Sequence, residues 1–254
     1  MAVIDKIKLL YKSNKYYVSI KSRLSKKNKF GKDYWHIIKD PDGNIRNRLE
    51  KKEKINHQKD TKYISSYINK FSNKKILDVG CGLGYFLSSL NNKKNKLYGC
   101  EVDKYCFDYA SKFGTINIGK LEEINYSNQY FDIIVCHHVI EHVKDPKKFL
   151  KKIKKILKKN GILIIGTPDF NSGAANLFKD NYRLLHDKTH ISLFTSDSMH
   201  RFLRDNAFSI FRVDFPFFES RFFTKKNILE LFNTSKTSPP FYGNFMTFFA
   251  KKND

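Results

Sequence analysis

The segment Lys75-Ile76-Leu77-Asp78-Val79-Gly80-Cys81-Gly82-Leu83-Gly84 constrains the fold of this chain more than any other. A short apolar run that leads straight into alternating glycines reads as a strand ending in a loop. A ligand can approach the backbone of such a loop closely at the mouth of a parallel sheet. A dinucleotide-type G-x-G-x-x-G pattern would require a glycine at position 85, which is Tyr85. Asp78 lies two residues before the first glycine and so beside the loop. A carboxylate there suits a cationic amino acid ligand better than a pyrophosphate, because like charges repel. Glu101 ends a second strand about twenty residues beyond the loop, where an acidic side chain can accept both hydroxyls of a ribose.

A regular alternation surrounds this loop. Apolar positions Tyr63, Ile64, Tyr67, Ile68 and Phe71 recur at helical spacing over residues 58–71. Strands are expected at 75–79, 96–101, 116–118, 131–136, 162–165, 209–215 and 243–250, with helices at 85–90, 104–113 and 146–159. Residues 166–190 read as a loop, and Thr195-x-x-Ser198 opens a further helix with Met199, Phe202 and Leu203 inward. The first five strands are nearly all apolar, as expected when helices cover both faces of a parallel sheet. The predicted class is therefore α/β.

Several motifs in the right order resemble one family. Ile76 to Gly84 resembles motif I of the class I S-adenosylmethionine-dependent methyltransferases, and Gly99-Cys100-Glu101 resembles their ribose-binding acid. Phe131-Asp132-Ile133-Ile134-Val135, followed by His138-Val139-Ile140-Glu141-His142-Val143-x-Asp145-Pro146, is similar to their fourth-strand motif. Lys158-Lys159-Asn160-Gly161-Ile162-Leu163 matches their turn into the fifth strand. The resemblance implies a Rossmann-like, mostly parallel seven-stranded sheet with an antiparallel last strand and helices on both faces. It divides the chain into a basic N-terminal extension, 1–60, and a methyltransferase domain, 61–254, with an aromatic-rich insertion at 216–242. It implies S-adenosylmethionine as cofactor, with Asp78, Gly80, Cys81, Gly82, Gly84, Glu101, Val102, Leu121 and His137 as its binding residues. Relatives often place an acid before a small residue after the third strand to bind adenine. Here Lys120 stands there and cannot accept a hydrogen bond, which leaves the Leu121 N–H.

Histidines gather at the same sheet edge. His137, His138 and His142 follow the fourth strand, and His186 and His190 lie in the loop after the fifth. A hydroxyl acceptor loses its proton as it attacks a sulfonium methyl, and neutral imidazole is a suitable base near pH 7. His138, His190 and His142 are the catalytic candidates. Structural roles compete with this: His142 as a hydrogen-bonded residue beside Glu141, and His190 as a pin for its loop. Glu141, His142 and a loop histidine could also hold a metal, as in some relatives that methylate diols. The spacing does not compel it, and no metal is assigned.

The segment Thr189-His190-Ile191-x-Leu193-Phe194-Thr195 is similar to methyltransferases of bacterial capsule and lipopolysaccharide gene sets and to ubiquinone-pathway O-methyltransferases. Trp35 with the turn Asp40-Pro41-Asp42-Gly43 adds a loose likeness to the glycan group. The expected acceptor is a sugar hydroxyl in surface-glycan biosynthesis, as a small molecule or glycan precursor. A quinone-type O-methyltransferase, a tRNA methyltransferase and a non-catalytic cofactor-binding subunit are the alternatives.

Charge bears on partners. The chain of 254 residues carries 48 Lys+Arg against 25 Asp+Glu, a formal +23. Nine Lys and one Asp fall within 144–159. Such a field attracts an anionic membrane surface or nucleic acid. A Lys-, Asn- and Ile-rich composition also loads solvated faces with no partner, and no RNA-binding module is recognisable. With 41% hydrophobic and 15% aromatic residues the chain is not of a disordered type. No apolar run reaches the roughly 18 residues of a membrane span, and residues 1–20 do not read as a secretory signal. Cys81, Cys100, Cys106 and Cys136 form no C-x-x-C pair, which argues against a disulfide framework or zinc site. A cytoplasmic location is expected, with peripheral association at the inner membrane surface as the variant that the basic face favours.

Overall fold

The computed structural model describes residues 3–24, 36–39, 45–90, 94–216, 221–240 and 244–253. Trp35, the turn at 40–43 and residues 217–220 and 241–242 of the aromatic insertion lie outside the described residues. The main sheet has seven strands: β1 (Lys75–Val79), β2 (Lys96–Glu101), β3 (Thr115–Ile118), β4 (Phe131–His137), β5 (Leu157–Pro168), β6 (Phe208–Asp214) and β7 (Phe245–Lys252). Their order is β6-β7-β5-β4-β1-β2-β3. The five strands from β1 to β5 pair in parallel, and β7 runs antiparallel to both neighbours. The Rossmann-like sheet with an antiparallel last strand is thus the observed fold.

Side-chain alternation splits the core between the two faces of the sheet. Ile134, Cys136, Leu163, Ile165 and Phe248 pack on one face with Phe149, Ile153, Phe202 and Leu203. Ile76, Ile133, Val135, Ile164 and Phe249 pack on the other with Ile64, Ile68, Phe86 and Leu87. A strand covered on both faces leaves no polar side, which is why β4 and β5 read as continuous apolar runs.

Four helices matter for the site: α1 (Lys51–Asp60), α2 (Lys62–Ile68), α3 (Pro146–Ile156) and α4 (Ser196–Arg204). In α3, Asp145 caps the Lys148 N–H and Pro146 occupies the first turn. Phe149, Leu150, Ile153 and Ile156 are buried, and most of the lysines face outward. In α4, Thr195 and Ser198 form a reciprocal capping box, and Met199, Phe202 and Leu203 are buried as expected.

Several expected boundaries shift. Residues 85–90 are not a regular helix but turns and a 3-10 turn at Leu87–Ser89. The Ser88 and Ser89 hydroxyls bond back to the Tyr85 and Phe86 carbonyls and compete with the helical ladder. The helix expected at 58–71 is two helices, α1 and α2, meeting at Thr61, whose hydroxyl takes the His57 carbonyl. Helix α3 ends at Ile156, because Leu157 turns extended, pairs with Phe131 and is fully buried. Within the stretch read as loop, Gly173–Phe178 and Arg183–His186 are short helices.

The N-terminal segment is built into this frame. Val18–Ser19 pairs with Ser192–Leu193. Ile4 and Ile7 join Phe170, Phe178, Tyr182 and Leu193 in a third cluster. Tyr16 and Tyr17 pack on Phe202 and Phe194 at ring separations of 5.3 Å.

Phe202 is fully buried among these rings, so Phe202→Ala is expected to destabilise the protein by about 3–5 kcal/mol. Thr195→Ala removes one helix cap and is expected to cost about 1 kcal/mol. Urea denaturation of both variants should rank them in that order; equal costs would mean that the ring cluster does not carry the core.

Candidate functional site

The register of β1 with β4 sets Val79 beside Cys136 and brings the glycine loop and the histidine turn to one sheet edge. Gly80, Gly82 and Gly84 all have positive φ, at 72°, 49° and 74°. At Gly80 a Cβ would stand 2.5 Å from Val139 Cγ2, so the turn after β4 lies directly on the loop. At Gly84 a Cβ would stand 2.8 Å from the Ala110 backbone. Both positions therefore need glycine for space as well as for conformation.

Two buried carboxylates flank the loop. Glu101 is 5% exposed. Its Oε2 accepts from the Gly82 N–H at 3.0 Å, and its Oε1 accepts from the Val102 and Asp103 N–H groups at 2.7 and 3.2 Å. Three of about four lone-pair sites are used, which leaves acceptor capacity on Oε2. Burial raises its pKa, against the pull of those three N–H groups. Asp78 is also 5% exposed, and among the described residues no hydrogen bond or ion pair to its carboxylate is found. Burial, followed by the charge of Glu101, pushes its pKa well above the usual carboxylate range. An unpartnered buried carboxylate of this kind is a ready site for a cation.

The other expected binding residues take less direct places. Cys81 is buried under Gly99 with its thiol pushed up by burial, and its N–H is taken by the Cys100 carbonyl. Val102 is exposed, and Leu121 is buried in the core. Lys120 pairs with Glu123 at 3.0 Å. His137 Nε2 stands 3.2 Å from the Tyr63 hydroxyl, which also bonds Thr247 Oγ1 at 2.7 Å. Burial and then the neighbouring His138 and His57 hold His137 well below the usual imidazole range, so it is neutral.

The three catalytic candidates converge on Glu141, which is 1% exposed. His138 has a positive φ of 58°, and its Nδ1 meets Glu141 Oε1 at 3.2 Å. Thr167 Oγ1 donates to Glu141 Oε2 at 3.0 Å. Burial alone would raise the Glu141 carboxyl. The His138 hydrogen bond and the charges that His142, His138 and His190 carry when protonated hold it at about 2. His142 and His190 face each other with ring centroids 5.1 Å apart. His142 Nδ1 lies 3.0 Å from the Thr189 carbonyl, and His190 Nδ1 lies 2.8 Å from the Leu184 carbonyl. One ligand atom each from Glu141, His142 and His190 lie within 4.8 Å of one another. Burial lowers the His190 pKa against the pull of Asp187, whose Oδ2 is 3.6 Å from His190 Nε2.

Sequence reasoning missed two residues that order this edge. Tyr63 counted only as an apolar helix position, yet its hydroxyl holds His137. Arg23 counted only as charge. Its guanidinium donates to the carbonyls of Asp187, His190 and Leu185 at 2.6, 2.8 and 2.7 Å, clamping the His190 loop. No local pattern marks either contact, because the partners lie 74 and more than 160 residues away.

Comparison with known proteins agrees with this geometry. Residues 52–213 match the family model described as "Methyltransferase domain". The "Ubiquinone biosynthesis O-methyltransferase" of Rickettsia bellii is 32% identical over 149 residues, covering 48% of this chain and 62% of that protein. The chain thus spans less than two thirds of that relative's length. A SAM-dependent methyltransferase from Methanosarcina mazei superposes with a TM-score of 0.56 at 17% identity, covering 74% of this chain and 96% of that one. The [4+2]-cyclase SpnF superposes equally well, with a TM-score of 0.56 at 15% identity over 75% of this chain and 80% of its own. Sheet order, glycine loop and family match together place the protein: the chain belongs to the methyltransferase-domain family, as a class I member whose cofactor is S-adenosylmethionine.

Proposed function

We propose that this protein transfers the methyl group of S-adenosylmethionine to a hydroxyl of a small-molecule acceptor. The observation that carries this reading is the pairing of an unpartnered buried carboxylate, Asp78, with a His138–Glu141 dyad on the same sheet edge. S-adenosylmethionine, when bound, supplies an electrophilic methyl group on a sulfonium. Asp78 is assigned to its cationic amino group and Glu101, through Oε2, to its ribose hydroxyls. Gly80, Gly82 and Gly84 provide the close backbone approach; Cys81, Val102, Leu121 and His137 line the same site in this reading.

His138 is assigned as the base that takes the acceptor's proton. A hydrogen bond from its Nδ1–H to Glu141 leaves Nε2 with the lone pair, and Glu141 stabilises the imidazolium that forms. His142 and His190 have Nδ1 engaged by backbone carbonyls and are assigned to holding the acceptor side of the site. Residues 1–60 act in this reading as an extension that completes domain 61–254, with Arg23 clamping the His190 loop.

The acceptor supported by the relatives is an aromatic hydroxyl of the quinone-precursor type, since the R. bellii protein is named for ubiquinone biosynthesis. The sugar hydroxyl expected from the sequence drew on the segment 189–195, which is similar to ubiquinone-pathway O-methyltransferases as well, and on Trp35 and the turn at 40–43, which lie outside the described residues. Among the described residues no helix is long and apolar enough to cross a membrane. Label from methyl-labelled S-adenosylmethionine, followed into quinone-precursor, nucleotide-sugar, lipid-glycan and RNA fractions, separates these acceptors. Label only in a nuclease-sensitive fraction would overturn the small-molecule reading.

Two variants test the assigned roles. At neutral pH an unfolded chain ionises Asp78 freely, whereas the folded chain resists, so the buried carboxyl costs stability that grows as pH rises above the ordinary carboxylate range. Asp78→Asn is therefore expected to raise the melting temperature of the cofactor-free protein by about 2–4 °C, as for about 1 kcal/mol in a chain of this size. It is expected to weaken cofactor binding by about 10–100-fold, measured by calorimetry. A lower melting temperature with intact binding would refute both assignments. His138→Ala is expected to lower kcat by about 100-fold or more with cofactor affinity unchanged. Undiminished turnover would remove His138 as the base.

A further inference from the structure

We infer that the surface around the third core cluster is a docking face for an anionic lipid bilayer. It is built from the N-terminal segment, the turn after Phe178 and the stretch that begins with the helix Lys225–Glu230. Thirteen large apolar side chains are exposed among the described residues, and five of them surround this one cluster. Leu9 and Tyr11 follow Ile4 and Ile7 of the cluster, Leu177 precedes Phe178, and Leu229 and Phe232 flank Leu231. Phe232 is 84% exposed and Leu229 58%. Single exposed apolar residues are ordinary, but a gathering of them marks an interaction surface. Four of the five lie outside residues 52–213, so the feature belongs to this chain's additions to the methyltransferase domain.

The three segments are joined. Ile4, Ile7, Phe178 and Leu231 pack in one cluster. Asn181 Nδ2 donates to the Thr234 carbonyl at 2.9 Å, and the Ser238 N–H donates to the Asn181 carbonyl at 2.9 Å. Charge identifies the occupant. Residues 3–12, 177–181 and 225–236 carry seven lysines, all exposed, against Asp5, Asp180 and Glu230. Apolar tips set among ammonium groups fit a bilayer with anionic headgroups: the tips enter the headgroup boundary and the lysines meet the lipid phosphates. A second copy of the chain would set like charges against each other. Nucleic acid would meet the charges but leave Leu9, Leu177 and Leu229, which have no ring to stack on bases, without a partner.

The use of this face rests on the methyl-transfer reading given above. Phe170 of the cluster has its ring 6.0 Å from that of His190, so a bilayer docked here lies beside the histidines assigned to the acceptor. That position suits an acceptor with an apolar tail. Lipid docking itself does not depend on that reading.

The test sediments tag-free full-length protein with vesicles of phosphatidylcholine and phosphatidylglycerol, and with vesicles of phosphatidylcholine alone. The mixed vesicles should bind the protein about tenfold or more tightly than the neutral ones. Leu229→Ser/Phe232→Ser changes no charge and should weaken binding to the mixed vesicles by about tenfold or more. Lys151→Gln/Lys155→Gln removes two exposed charges from α3, which packs on the first core cluster, and should change binding by less than about threefold. Circular dichroism and S-adenosylmethionine binding check that the variants are folded. Phe232→Trp keeps an apolar ring, so it should bind as the parent does, with added fluorescence that shifts to the blue on mixed vesicles; it decides the matter if the serine pair does not fold. No binding to mixed vesicles, unchanged binding in the folded serine pair, or an equal loss in the α3 pair overturns the face. A serine pair that loses tRNA binding or self-association instead of vesicle binding overturns it too, in favour of those occupants. Vesicle binding without methyl transfer to any acceptor fraction would sink the link to the acceptor and leave the docking face standing.

Discussion

The parallel pairing of β1 with β4 is the constraint on which the site depends. It ends both strands at one edge and lays Val139 across Gly80 at a distance that excludes any side chain on that glycine. The glycine loop and the turn that carries the histidines are therefore one packed unit. The strands behind them are covered on both faces, so their backbone amides have no route to water and are spent on the sheet ladder. The edge inherits that rigidity.

Electrostatically, the edge is a set of carboxylates buried for different ends. Glu101 is absorbed by backbone N–H groups of its own turn and of the glycine loop, Glu141 by a hydroxyl and the His138 imidazole, and Asp78 by nothing among the described residues. Burying a charge without a partner is costly, and such a cost persists where a ligand offsets it. The same logic separates the three acids in pKa: Asp78 and Glu101 are raised by burial, while the histidines draw Glu141 down.

The fold and its glycine loop were largely legible because each is encoded locally. Alternating glycines after a short, mostly apolar strand and the Thr195/Ser198 cap act within a few residues of themselves. Short-range pattern failed where hydroxyls or tertiary burial overruled it. Ser88 and Ser89 broke the helix expected at 85–90, and burial of Leu157 ended α3 three residues early. The histidine cluster was legible only as a list of residues. Their grouping around Glu141, and the Tyr63 and Arg23 contacts that hold them, join residues distant in sequence.

The sequence by itself determined the sheet, its glycine loop and the family, because strand hydrophobicity and glycine conformation depend on neighbouring residues. Only the tertiary structure decided which histidine faces Glu141 through Nδ1 and which turn Nδ1 to a backbone carbonyl. A tautomer is set by hydrogen-bond partners, and those partners are brought into reach by packing rather than by spacing along the chain.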